Sequence, residues 1–328
     1  MVAIKQLGTN GGGYFGPNSA HPLENPTYWS NVIQNASIII IPMACVWMFG
    51  RMIGSRRQAT VVFGVMLALY AGFVALAVTT EQAPAAALAG LPVQESMNLE
   101  GKELRFGASA GPLWAVTTTS TSNGSVNAMH DSLNPLTGMF PMIGMWLNVE
   151  FGGVGVGFIN MFMYIVTAVF LAGMMVGRTP EYLGRKIEGR EMKLALIALL
   201  MHPLLILGGT ALFAATPWGA GTVQDQGPHG FSEIVYEFTS AAANNGSGFE
   251  GLGDNTVPWN VATGLVMLIG RFVPIIAPLA IAGFLSQKRR SAATAGTFRT
   301  DTPLFGVILV GVVVIVGALL FMPLAVLG

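Results

Sequence analysis

Six stretches of this chain are apolar for about twenty residues or more, the length a helix needs to cross roughly 30 Å of hydrocarbon. They lie at 28–50, 60–80, 133–149 continuing into 154–177, 193–216, 257–285 and 303–327. Charge is scarce between them as well as inside them. Of the 328 residues, 10% are charged and 52% hydrophobic, where a soluble domain carries about 25% charge. The spacing predicts an all-α integral membrane protein. Net charge is zero, so nothing points to nucleic acid. Cys45 is the only cysteine, which excludes an intrachain disulfide or a cysteine metal site. The first residues, "MVAIKQLGTNGGGYFG", lack the apolar stretch of a signal peptide.

Two further apolar stretches, 106–121 and 231–243, are too short to span. Such lengths suit re-entrant helices that dip into the membrane and return. Lys and Arg gather in three places: Arg51, Arg56 and Arg57; Arg178, Arg185, Lys186, Arg190 and Lys193; Lys288, Arg289, Arg290 and Arg299. Basic residues mark the cytoplasmic side. Segments 81–105 and 217–256 are then expected outside, with Glu81, Glu95, Glu100, Glu103, Asp225, Glu233, Glu237, Glu250 and Asp254 on them.

The dipeptide Asn-Gly recurs at Asn10-Gly11, Asn123-Gly124 and Asn245-Gly246, with Thr9, Ser122 and Asn244 before it. Before the second and third copies run "PLWAVTTTSTSNGS" and "IVYEFTSAAANNGSG". An apolar span follows every copy. The repeated unit reads as outer helix, re-entrant pore helix, filter loop, inner helix. Irregular backbone at membrane depth survives only where it is buried or lines a wet cavity. Glycine admits the positive φ angles that aim successive carbonyls one way. Rings of such oxygens can replace the hydration shell of a monovalent cation, and a helix C-terminus beside them favours positive charge. A plain external turn is the competing reading of Asn-Gly. A phosphate loop lacks its Gly-Lys-Ser/Thr, and "GGVGVG" at 152–157 does not fit a dinucleotide fingerprint.

The stretches "TNGGGYFGPNSAHPLENPT", "NLEGKELRFG", "AMHDS", "FGGVGVG", "GRTPEYLGRKI", "REMKL", "GPHGFSE" and "AAANNGSGFEGL" together resemble the potassium-binding subunit of the Kdp-type bacterial potassium pump, within the superfamily of potassium transporters. The resemblance runs over essentially the whole chain. It implies a single-chain analogue of a potassium channel, with four non-identical repeats around a pseudo-fourfold axis. It also implies that the ion is K⁺, carried rather than held as a cofactor. The implied partners are a P-type ATPase catalytic subunit, a small single-span subunit and an accessory single-span subunit, with membrane lipid around them. The ATPase subunit would take the ion sideways through a tunnel. The chain itself is expected to be non-catalytic, and to sit in the bacterial plasma membrane.

Compared with that family, the front third is missing. No room exists before Thr9 for an outer helix and a pore helix, so about two and a half repeats are expected, plus a C-terminal transmembrane helix. The divisions are 1–58 (filter loop and inner helix of repeat 2), 59–190 (repeat 3), 191–290 (repeat 4) and 291–328 (the last helix). The expectation is a fragment or a late-started gene model, whose three-sided filter alone should not select potassium.

Matched to the family's filter triplets, Thr9, Asn10 and Gly11, Ser122, Asn123 and Gly124, and Asn244, Asn245 and Gly246 are expected to present K⁺-coordinating carbonyls. Gly12, Ser125 and Ser247 would flank them. Arg271 interrupts an inner span, and a charge at the bilayer centre costs about 2.5–3.5 kcal/mol. It therefore faces an interior or a wet space, either as an electrostatic element beside the pore or as a packed, paired arginine. Gly152, Gly153, Gly155 and Gly157 each cost a helix about 1 kcal/mol. The resemblance implies that they form an intramembrane loop below the filter; close helix packing through small residues is the other reading. Arg178 pairs with that loop or the ATPase subunit, or serves as a positive-inside anchor. His21, His130 and His229 read as outer-loop residues and His202 as a packed or cavity histidine. None has metal-like spacing, and the carboxylates are too dispersed for a catalytic pair. A stand-alone channel or secondary potassium transporter is the second functional reading. A membrane enzyme or assembly subunit is the third.

Overall fold

Glycine and proline at the ends of the apolar stretches, with hydroxyl caps, cut this chain into eleven helices among the described residues. The computed structural model describes residues 1–85, 91, 97–292 and 297–327. Glu95 falls outside them. Helix α1 (Val2–Leu7) leads into the first Asn-Gly loop, and α2 (Tyr28–Met52) follows it. The Thr27 hydroxyl and the Ser30 side chain close a capping box at the start of α2, which satisfies two otherwise orphaned N–H groups. Helices α3 (Arg56–Thr80), α4 (Gly107–Ser120), α5 (Pro135–Leu147) and α6 (Val156–Val176) come next. A two-stranded hairpin, β1 (Glu181–Tyr182) with β2 (Arg185–Lys186), connects to α7 (Gly189–Ala214) and the single turn α8 (Pro217–Ala220). The chain closes with α9 (Pro228–Ala243), α10 (Val257–Gln287) and α11 (Pro303–Leu327).

Six of these helices, α2, α3, α6, α7, α10 and α11, are long and apolar enough to cross a membrane. Among the described residues the fold is all-α apart from the hairpin. Large apolar side chains remain outward along them, among them Trp29, Ile33, Leu204 and Leu319, as expected of surfaces meeting lipid. The short helices α4, α5 and α9 are largely buried. In α4 every residue from Ala110 to Ser120 except Leu113 is buried, and α9 is buried from Ile234 to Ala243 except at Glu237. A helix apolar or small all round must be enclosed by others. Here α3, α5 and α2 enclose α4, while α7 and α10 enclose α9.

The stretch expected as one broken inner span, 133–149 into 154–177, is α5 and α6 with residues 148–155 between them. Asn148 ends α5 in the left-handed conformation at φ 48°. Phe151, Gly153 and Gly155 also have positive φ. The chain then recrosses itself: the Gly157 N–H donates to the Gly152 carbonyl at 2.6 Å, and a Cβ on Gly157 would lie 2.0 Å from the Gly152 nitrogen. Only glycine allows so close a crossing. The six residues Val2–Leu7 form helix α1 directly before the first loop, as α4 and α9 run directly into theirs.

Candidate filter and cavity

The three Asn-Gly loops share one backbone conformation. Thr9, Ser122 and Asn244, each preceding the asparagine, have φ of 50°, 53° and 54°, and Gly11, Gly124 and Gly246 have 67°, 90° and 104°. Non-glycine residues seldom take this region, so three at equivalent positions mark a conformation held by its surroundings. The holding contacts repeat too. The Asn123 N–H donates to the Thr118 carbonyl and the Asn245 N–H to the Ser240 carbonyl, both at 2.9 Å. The N–H groups of Gly124 and Gly246 donate to the Thr118 and Ser240 hydroxyls, also at 2.9 Å. In the first loop the Gly11 N–H donates to the Lys5 carbonyl at 3.1 Å.

The loops stand beside one another in chain order. A Cβ on Gly11 would fall 2.0 Å from the Asn123 carbonyl oxygen, and one on Gly124 would fall 2.1 Å from that of Asn245. Each asparagine side chain reaches back to the preceding unit. Asn123 Nδ2 donates to the Lys5 carbonyl at 3.0 Å and Asn245 Nδ2 to the Thr118 carbonyl at 2.7 Å. Asn10 has no preceding unit among the described residues and donates to Ile4 in its own helix. A Cβ on Gly246 would meet nothing within 4 Å among the described residues, so the arc of three is open at that side.

Below the loops lies a polar cavity of about 350 Å³, lined by Thr9, Asn10, Ser122, Asn244 and Asn245 with Asn148, Gly153 and Arg271. Arg271 Nε donates to Asn244 Oδ1 at 3.1 Å, which brings the charge directly under the third loop. The glycine loop forms the floor. The Gly153 N–H donates to the Thr121 carbonyl at 2.6 Å, tying this floor to the C-terminal end of α4. Ser122 Oγ and Asn148 Oδ1 are buried oxygens without a partner among the described residues. Gly155 lies in the glycine loop and Arg178 lies elsewhere. Arg178 follows the C-cap of α6, exposed, its N–H on the Gly173 carbonyl at 2.8 Å.

Over all 328 residues the sequence matches the family described as potassium-transporting ATPase A subunit. The chain belongs to that family. It is 52% identical, over 98% of its length, to the potassium-transporting ATPase potassium-binding subunit of Phocaeicola vulgatus, and spans 58% of that relative's length.

Within this A-subunit chain, several contributors were not visible in the sequence. Lys5 is fully buried, with Nζ on the Asn18 carbonyl at 2.8 Å and on Glu24 at 3.1 Å. Burial pulls its pKa down, and the Glu24 carboxylate acts against that pull. Glu150 is buried and accepts from the Ser120 hydroxyl at 2.8 Å. His202 meets the Met145 carbonyl at 2.9 Å, a packed histidine as expected. His130 is no loop-surface residue: it is 1% exposed and its Nδ1 lies 2.8 Å from the Tyr236 hydroxyl. The dispersed carboxylates also gather more than their spacing suggests. Asp131, Asp225, His229 and Glu233 have side-chain ligand atoms within 4.8 Å of one another. His229 Nε2 sits 2.9 Å from Asp131, and that hydrogen bond raises the histidine pKa. Asp131 lies 94 or more positions from the other three members, so sequence spacing did not bring it to them.

Proposed function

We propose that this chain forms the ion-binding and translocating part of an ATP-driven potassium uptake pump. Carbonyls of Thr9, Asn10 and Gly11, Ser122, Asn123 and Gly124, and Asn244, Asn245 and Gly246 would coordinate dehydrated K⁺. The observation that carries this reading is the arc of three conformationally equivalent loops above one polar cavity. The C-termini of α1, α4 and α9 approach it, adding partial negative charge. The repeats are proposed to divide as 1–58, 59–190 and 191–290, with 291–328 as an added helix. A fourth loop would seat against Gly246 and close the ring.

In this reading the glycine loop blocks a straight path downward, and Arg271 repels a cation that tries it. A dehydrated ion would then leave sideways, toward a P-type ATPase catalytic subunit that hydrolyses ATP. A small single-span subunit and an accessory subunit would complete the assembly. The loops would face outward from the bacterial plasma membrane, and the basic segments inward. The A-subunit chain would carry out no hydrolysis itself. The relative's name, potassium-binding subunit, supports the ion and the division of labour.

The test is uptake by the complete transporter in cells that depend on it for K⁺. Gly246→Asp is expected to raise the K⁺ concentration required for half-maximal uptake at least tenfold. Unchanged uptake at micromolar K⁺ would overturn the filter assignment. Uptake that persists in ATP-depleted cells, driven by the K⁺ gradient alone, would favour a stand-alone channel.

A further inference from the structure

A directed chain of hydrogen bonds runs behind the third Asn-Gly loop. Ser247 Oγ lies 2.5 Å from Asn245 Oδ1. An amide oxygen only accepts, so the single hydroxyl proton of Ser247 is committed to it. The Tyr236 hydroxyl, 2.9 Å from Ser247 Oγ, must therefore donate to Ser247. With its own proton so used, Tyr236 must accept from His130 Nδ1 at 2.8 Å. That fixes the tautomer of His130 with the proton on Nδ1. Its Nε2 is then a bare acceptor, and it is buried without a partner among the described residues. At the far end Asn245 Nδ2 donates to the Thr118 carbonyl at 2.7 Å. The path thus starts in the segment after the second loop and ends on the pore helix before that loop, passing through the third.

The second loop has a counterpart of different reach. Trp114 stands nine residues before Asn123, as Tyr236 stands nine before Asn245. Its indole Nε1 donates to the Ser125 carbonyl at 2.9 Å. Ser125, though, sends its hydroxyl proton to Gln6 Oε1 at 2.9 Å, away from its own asparagine. An aromatic brace on the serine after Asn-Gly is common to both loops. Only at the third does the brace run on to a histidine from the neighbouring unit.

We propose that Tyr236, oriented by His130, is a specificity-determining positioning residue that fixes the bore at the third loop through Ser247 and Asn245. This deepens the filter reading above and rests on it. Neither residue would touch the ion. A continuous polar chain holds one geometry more firmly than separate bonds do, and small displacements of coordinating oxygens change which cation fits. Breaking the chain would widen tolerance for ion size before it removed transport.

The experiment uses the complete pump in K⁺-dependent cells. Half-saturating concentration and maximal rate are measured for K⁺ and Rb⁺, with assembled complex quantified after detergent extraction. Tyr236→Phe keeps the ring and removes the hydroxyl. It is expected to narrow the K⁺ over Rb⁺ preference at least fivefold, with maximal K⁺ uptake within about twofold of wild type. His130→Asn keeps a donor near Nδ1 and is expected to retain the wild-type preference, whereas His130→Ala is expected to reproduce the Tyr236→Phe loss. A wild-type ion preference in Tyr236→Phe, or equal loss in His130→Asn and His130→Ala, would overturn the inference. If Tyr236→Phe fails to assemble, the two His130 variants decide it. Gly246→Asp is the control: if it leaves ion affinity intact, the filter reading itself fails. If it weakens affinity while Tyr236→Phe changes nothing, only the brace fails.

Discussion

The side-chain amide of Asn245 donates to the main-chain carbonyl of Thr118 at 2.7 Å. The two residues are 127 positions apart, and the bond joins one Asn-Gly loop to the helix that carries the one before it. Asn123 and Lys5 repeat the relationship at 3.0 Å. The asparagines are therefore fasteners between units, and the glycines beside them are where the backbones touch.

The touching glycines give the first expectation. A side chain on Gly124 would enter the Asn245 carbonyl oxygen, at 2.1 Å and with φ at 90°. Gly124→Ala should abolish high-affinity uptake and lower the thermal stability of the purified assembly. Gly246→Ala separates two situations. If its side is open, only the left-handed backbone penalty of about 1–2 kcal/mol applies. With the proposed fourth loop seated there, it should match Gly124→Ala in both measurements. A mild effect in the complete protein would argue against that loop.

A buried ion pair anchors the segment leading to α4. Lys102 Nζ lies 2.6 Å from Glu81 Oε1, with both side chains at most 1% exposed. Glu81 also accepts from Asn98 Nδ2 at 2.8 Å and from the Asn134 N–H at 3.0 Å. Removing one partner of a buried pair leaves an uncompensated charge and costs about 3–5 kcal/mol. Glu81→Gln should therefore lower the melting temperature sharply. The double variant Glu81→Gln with Lys102→Met should recover much of the loss, since it no longer leaves the Lys102 charge buried without its partner. A double variant worse than the sum of the singles would show that Lys102 has a separate role.

The outer cluster predicts a direction with pH. His229 faces Asp131, Asp225 and Glu233, and the hydrogen bond to Asp131 raises its pKa above the ordinary value. A raised histidine stabilises the fold fully below its unfolded pKa, about 6.5. That contribution fades as pH climbs through the raised value. The stability difference between wild type and His229→Gln should be largest below about pH 6.5 and shrink at higher pH. A difference that grows with pH would contradict the pairing.

Periodic hydropathy made the spans and the two short helices legible because lipid demands long uninterrupted apolar runs. Their ends came out within a few residues: 106–121 became Gly107–Ser120, and 231–243 became Pro228–Ala243. The Asn-Gly triplets were legible because their chemistry repeats along the chain. What stayed hidden depends on distance in sequence. Helix α1, six residues long, is too short for periodicity to register. His130 reads as an ordinary polar loop residue until Tyr236, 106 positions on, comes within 2.8 Å. Arg271 announced itself because a lone charge in an apolar span needs a reason. Arg178 sits in a basic stretch where position carries no such signal, and it lies away from the cavity.

The 2.6 Å bond from the Gly153 N–H to the Thr121 carbonyl has a mechanical consequence. Thr121 directly precedes Ser122, so the plug under the chamber and the rim above it are two parts of one solid piece. Pulling the plug aside would drag on the residue that shapes the rim. In the proposed reading, an ion in this chamber could not have its floor withdrawn without loosening the loop that would have admitted it.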